Sequence, residues 1–241
     1  MIQGLSGYRL NRQDSMSDQV YSLLHKLILT AEIKPGELVS EKSIASQLGI
    51  SRTPIREAIK RLSDEHLVDV VAQSATRASQ LDLKSIEEAY LIRRALEMES
   101  ASQASQAMTQ SHASALARII EQHTLAISNQ EYVRAIEIDD AFHRYIAGIC
   151  ELTRLWRTVV ISKTQLDRCR HIMMPRVGQA EKTIEQHRAI LSALNSADSD
   201  KARYAMQSHL DYAYQSAVNI LRTSEISFPE APKPGGRVRK V

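Results

Sequence analysis

The sequence predicts a mainly α protein in two parts: a small three-helix unit closed by a hairpin, then an all-α antiparallel helical bundle. Three observations predict it. Helix breakers are scarce, with 8 Gly and 6 Pro in 241 residues, and long runs are rich in Ala, Gln, Glu, Leu and Arg. Residues 16–81 hold three short helical patterns and two β-leaning runs. From about Leu83 the short elements give way to long helical stretches with light punctuation. The chain is 43% apolar but only 5% aromatic, so the core is expected to be mostly aliphatic. The expected boundaries are 1–80 and 81–225, followed by a basic Pro/Gly-rich tail, 226–241, expected to be disordered.

The first helix begins near Ser17 or Asp18, either a fair N-cap. Val20, Leu23, Leu24, Leu27, Ile28 and Ala31 fall at offsets 0, 3, 4, 7, 8 and 11, one apolar stripe. "KPGE" (34–37) turns the chain. Ser40 caps a second helix, "EKSIASQL", which Gly49 ends in a left-handed conformation. Ser51 caps a third helix with Pro54 in its first turn, where a missing N–H loses no intrahelical partner. Ile55, Ala58, Ile59 and Leu62 form its buried stripe. "LVDVV" and "TRASQL" then make a hairpin across "AQSA". Three helices with a tight turn before the third, followed by a hairpin, is the plan of a winged helix-turn-helix.

That third helix, "SRTPIREAIKRL", also sets Arg52, Arg56 and Lys60 four apart. Residues at that spacing sit about 40° apart around a helix, so the three cations form one stripe, distinct from the apolar one. The expectation is an unpaired, outward-facing cationic edge that enters the major groove of duplex DNA, where Arg pairs bidentately with guanine and other cations hold phosphates. The bland alternative is a solvated charged face. Bulk charge does not choose between them: residues 1–80 carry ten Lys/Arg against nine Asp/Glu.

In the second half six helices are expected, roughly 83–108, 111–128, 131–150, 152–173, 177–195 and 199–222. "EIDDAFHRYI" places Asp139 and His143 four apart on one helix face, a spacing that lets both reach one metal ion; Asp140, three before His143, also reaches. His187 in "IEQHRAIL" and His209 in "MQSHLDY" lie on later helices beside apolar positions. If these groups converge, three imidazoles and a carboxylate suit a divalent transition ion such as Zn²⁺, Ni²⁺ or Mn²⁺, and leave coordination positions for water or a ligand oxygen. Spacing leaves the other reading open: histidines that face solvent or hydrogen-bond in the core. His25, His66, His112, His123 and His171 receive no chemistry. Arg93, in "YLIRRALEMES", faces the bundle interior and needs an anion, either a structural partner such as Glu97 or a carboxylate ligand.

No run of about 18 uncharged apolar residues is present, so no transmembrane helix and no membrane partner are expected. The start, "MIQGLSGYRLNRQDS", lacks the apolar stretch of a signal peptide. Two cysteines, Cys150 and Cys169, suggest no disulfide framework, and a cytoplasmic location fits them.

"LVSEKSIASQLGISRTPIREAIKRLSDEHLV" resembles the winged-helix reader of the GntR family of bacterial transcription regulators. The second half is similar to the FCD-type effector domain of its FadR-like subfamily, with "YLIRRALE", "DDAFH", "HRAIL" and "SHL" in the family's order. The resemblance covers roughly residues 16–223. It implies that Arg52, Thr53 and Arg56 sit at the operator, that Lys42 touches phosphate, and that the hairpin tip near Gln73 reaches the minor groove. It also implies that Asp139, rather than Asp140, joins His143, His187 and His209 as metal ligands, and that Arg93 helps grip a small carboxylate. The tip, "VVAQSATRAS", departs from relatives that carry a Gly there. The expected function is a homodimeric regulator that binds double-stranded operator DNA and responds to a carboxylate effector. Two alternatives stand beside it: a metal-dependent enzyme, and a constitutive DNA-binding protein without an effector.

Overall fold

A computed structural model describes residues 3–5, 7–11, 13–71, 75–173 and 179–223. The chain is mainly helical and falls into two compact units, with the division after Gln80.

The first unit holds a short 3₁₀ turn (Gln3–Leu5), α1 (Met16–Leu29), α2 (Glu41–Leu48), α3 (Arg52–Asp64), β1 (Val68–Val71) and β2 (Ala75–Ala78). The α1 stripe buries Val20, Leu23, Leu24, Leu27 and Ile28. Ala31 is not part of that helix; it lies beyond its end with φ 58°. α2 is fastened at both ends. The Ser40 hydroxyl accepts from the Ser43 N–H, and Gly49, at φ 66°, donates its N–H to the Ala45 carbonyl. Ser51 stands at the N-cap of α3 but makes no side-chain cap bond. The reason is local: a capping hydroxyl bonds the N–H two or three residues on, and Pro54 at the third helical position has none. α3 docks through Ile55, Ala58, Ile59 and Leu62. The hairpin pairs Val68 with Ala78 and Val71 with Ala75. Leu38 adds a bridge to Arg77, so the stretch before α2 lines the free edge of β2. Gln73 lies outside the described residues.

Seven helices form the described part of the second unit: α4 (Leu83–Gln106), α5 (Gln110–Ser128), α6 (Tyr132–Ile149), α7 (Thr153–Ser162), α8 (Thr164–Met173), α9 (Gln179–Asn195) and α10 (Ser199–Thr223). The single helix expected over 152–173 is therefore two, divided at Lys163. The hydroxyls of Ser162 and Thr164 bond back to the carbonyls of Val159 and Ile161, competing with the helical ladder at that point. The Lys163 ammonium is buried between Asp140 and Asp167. α4 packs along α10, α5 against α6 and α9, and α9 against α10. Ala101, Leu116, Ile120, Phe142, Ile146, Ile190, Met206 and Leu210 are among the residues that fill the space between them.

Candidate metal centre and DNA-reading helix

α6 projects Asp139 and His143 from one face, one turn apart; α9 brings His187 and α10 brings His209. One donor atom from each lies within 4.8 Å of the others, and all four side chains are buried. His187 Nε2 is 3.2 Å from Asp139 Oδ1, and His143 Nε2 is 3.1 Å from His209 Nε2. The partners behind the rings set their chemistry. Glu97 Oε2 lies 2.6 Å from His143 Nδ1, and Gln186 Oε1 lies 3.1 Å from His209 Nδ1. A tautomer with its proton on Nδ1 presents the Nε2 lone pair to a metal ion. The His143 and His209 Nε2 atoms lie close enough to share a proton or, with both rings in that tautomer, a cation.

The electrostatics agree with a metal-ligating set. Burial pushes the His187 and His209 pKa values below the usual imidazole range, so both rings are neutral donors at pH 7. Burial pushes Asp139 upward, but Arg170, His187 and His143 outweigh it and hold the carboxyl well below its usual range. For Glu97, too, burial is outweighed, by Arg93 and His143. Three imidazoles with one ionised carboxylate suit a divalent transition ion and disfavour a hard, oxygen-only one.

Arg93 is buried, and its Nε donates to Glu97 Oε1 at 2.6 Å. Of the two anions expected for it, the structural partner Glu97 is engaged. Arg170 of α8 pairs with Asp139 and lies 3.3 Å from both Asp140 and Asp167. Neither Arg170 nor the Lys163 that shares those carboxylates was among the sequence candidates. Their partners Asp139 and Asp140 lie on α6, so only the i, i+3 and i, i+4 spacings to Asp167 hint at pairing.

On α3, Arg52, Thr53, Arg56 and Lys60 are exposed, as is Lys42 at the start of α2. The stripe is not wholly unpaired, contrary to expectation. Arg56 Nε donates to Glu41 Oε2 of α2 at 3.0 Å, with 65% and 30% of the two side chains exposed. The helix-turn-helix angle brings Glu41 across the turn to α3, a contact that spacing along α3 alone does not reveal.

Residues 16–77 match the bacterial regulatory proteins of the gntR family, and residues 88–212 match the FCD domain. The chain belongs to the GntR family. The GntR match spans Lys42, Arg52, Thr53, Arg56 and Gln73; the FCD match spans Arg93 and all four metal-ligating candidates. Among GntR relatives, the HTH-type transcriptional repressor RspR of Escherichia coli K12 is 28% identical over 92% of this chain and 97% of its own length. An HTH-type transcriptional regulator in an unstable DNA locus of Streptomyces ambofaciens is 30% identical over 84% of this chain and 83% of its own length. Solved folds agree. E. coli McbR/YncC superposes with a TM-score of 0.69 at 23% identity, covering 87% of this chain and 98% of that one. A putative GntR regulator from Rhodococcus sp. RHA1 gives 0.72 at 20% identity, covering 86% and 99%. This GntR protein is thus a DNA-binding transcriptional regulator with an FCD domain, not an enzyme. Among the described residues no helix is long and apolar enough to cross a membrane.

Proposed function

We propose that this regulator works in the cytoplasm as a homodimer on a near-palindromic operator, and senses a small carboxylate at a divalent transition metal, Zn²⁺, Ni²⁺ or Mn²⁺. Residues 1–80 serve as reader and 81–225 as sensor, with 226–241 as a basic tail. Asp139, His143, His187 and His209 hold the ion; Arg52, Thr53 and Arg56 read the duplex, Lys42 holds phosphate, and Gln73 lies at the wing tip. The observation that supports the sensing role most is the convergence of four buried donors from three helices.

Charge supports a carboxylate as the effector. Glu97, Asp139, Asp140 and Asp167 face Arg93, Lys163 and Arg170, four anions against three cations. A divalent ion turns this net negative cluster into a net positive one, which a single monoanion neutralises. When bound, the ion supplies an open coordination position for a ligand oxygen. Arg170, paired with Asp139, and Arg93, paired with Glu97, add positive charge to the same cluster. Such a ligand changes operator affinity only by favouring one arrangement of the two readers, a coupling of about 1–3 kcal/mol in typical cases.

Elemental analysis of the purified protein tests the centre. The wild-type chain is expected to retain about one equivalent of metal, and the H187A/H209A double variant none, because two of four donors are gone. Equal metal content in both sinks the site. Operator affinity indifferent to chelators and carboxylates removes the sensing role and leaves a constitutive DNA-binding protein.

A further inference from the structure

The interior holds one histidine more than the ligand set uses. His123 of α5 is 0% exposed, and neither of its ring nitrogens has a hydrogen-bond partner. Leaving a buried polar group unmet is costly, so a residue kept this way points to a missing partner. Its ring lies against His187, with centroids 5.4 Å apart, and Asp139, His143 and Arg170 are close enough to bias its charge. It is outside the group of four donors, so it stands beside the metal position rather than on it. A neutral imidazole offers one N–H donor and one lone pair. Packing alone gives no reason for an imidazole: Phe142 stacks on the same His187 at 4.1 Å, so apolar rings are accommodated there.

We propose that His123 is a specificity-determining residue of the interior site, donating its N–H to an oxygen of a small carboxylate held at the metal's open position. The inference rests on the metal reading above. The carboxylate is favoured over water because Arg170, which pairs with Asp139, is near His123 and the loaded cluster carries net positive charge.

The test uses Co²⁺ as the metal and acetate as the ligand probe. The full chain is loaded with Co²⁺, whose visible absorption reports its coordination, and is titrated with acetate. His123→Phe is expected to bind Co²⁺ much as wild type does, since all four donors remain, while its acetate affinity drops about 10-fold or more. His123→Gln, which keeps an N–H donor, is expected to fall between the two and carries the test if the Phe variant does not fold. A purely structural role predicts the opposite pattern, an unchanged acetate affinity beside an altered melting temperature of the metal-free protein. Unchanged acetate affinity in a Co²⁺-loaded His123→Phe overturns the proposal, as does a Co²⁺-loaded wild type that ignores acetate. A wild type that gives no Co²⁺ band overturns the metal reading itself, a failure distinct from the other two.

Discussion

Glu97 shows how one side chain links the polar interior together. It receives Arg93 on one oxygen and meets His143 on the other, so an arginine on α4 orients an imidazole on α6. Groups buried this way make stability depend on pH. His123, His187 and His209 all have pKa values lowered by burial. The unfolded chain takes up protons near pH 6.5 that the folded chain refuses, so folded metal-free protein loses stability as pH drops below about 6.5. The His123 share of that loss is complete near its folded value of about 4. Asp139 acts in the same direction at lower pH: its contribution is present above the unfolded carboxyl value of about 3.9 and is lost as pH falls through its depressed folded value. Urea denaturation of metal-free protein is expected to give a lower midpoint at pH 5 than at pH 7, with a shallower decline in His123→Phe. A flat midpoint across that range would mean the histidines are not buried neutral. The i, i+4 pair on α6 was legible from its spacing, while His187 and His209 joined it only through the resemblance to the FCD-type domain. His123 and Arg170 were not legible, because their significance comes from neighbours on other helices.

At the scale of elements, apolar periodicity and capping residues were strong guides in the first unit. They were weaker in the second, for two physical reasons. α4 buries Arg93, Glu97, Ser100, Ser102 and Ser105 along with its alanines, so its inner face does not read as apolar. Helix ends there also lack the usual glycine. Gln130 and Glu151 follow α5 and α6 at φ 60° and 56°, each followed by an N–H that reaches back to the helix, Glu131 to Ala126 and Leu152 to Ala147. A left-handed conformation is strained for a residue with a Cβ. Gln130→Gly and Glu151→Gly are each expected to stabilise the fold by about 0.5–1 kcal/mol, measured by urea denaturation. On α3, the cationic stripe belongs to the element as a whole. Arg52→Ala is expected to remove specific operator binding while leaving the melting temperature within about 2 °C, because the side chain is exposed. Retained sequence preference in a gel-shift competition would move the reading face elsewhere.

For the whole molecule, the proposed dimer requires a surface to close on itself. α7 packs against α4, and these helices leave Leu91 52%, Val160 44% and Ile161 72% exposed. An apolar edge of this kind is where a twofold partner gains most by burial. Ile161→Asp is expected to convert a dimer to a monomer in light scattering at micromolar concentration, and to reduce operator affinity by removing one half-site contact. A dimer that survives the substitution places the interface on another face.

The bond between Arg56 and Glu41 has a consequence for how the proposed reader would search a genome. An exposed pair of this type is worth about 0.2–1 kcal/mol, small but not zero. The guanidinium therefore arrives with a carboxylate already in hand. Ordinary phosphate stretches must lure it away while bringing Glu41 toward their own negative charge. A guanine edge in the right register offers two aligned acceptors in exchange. The same contact that holds the two helices together would thus act as a filter, making random sequence less sticky than the cation count suggests and leaving promoter recognition to a better bargain at the matching base.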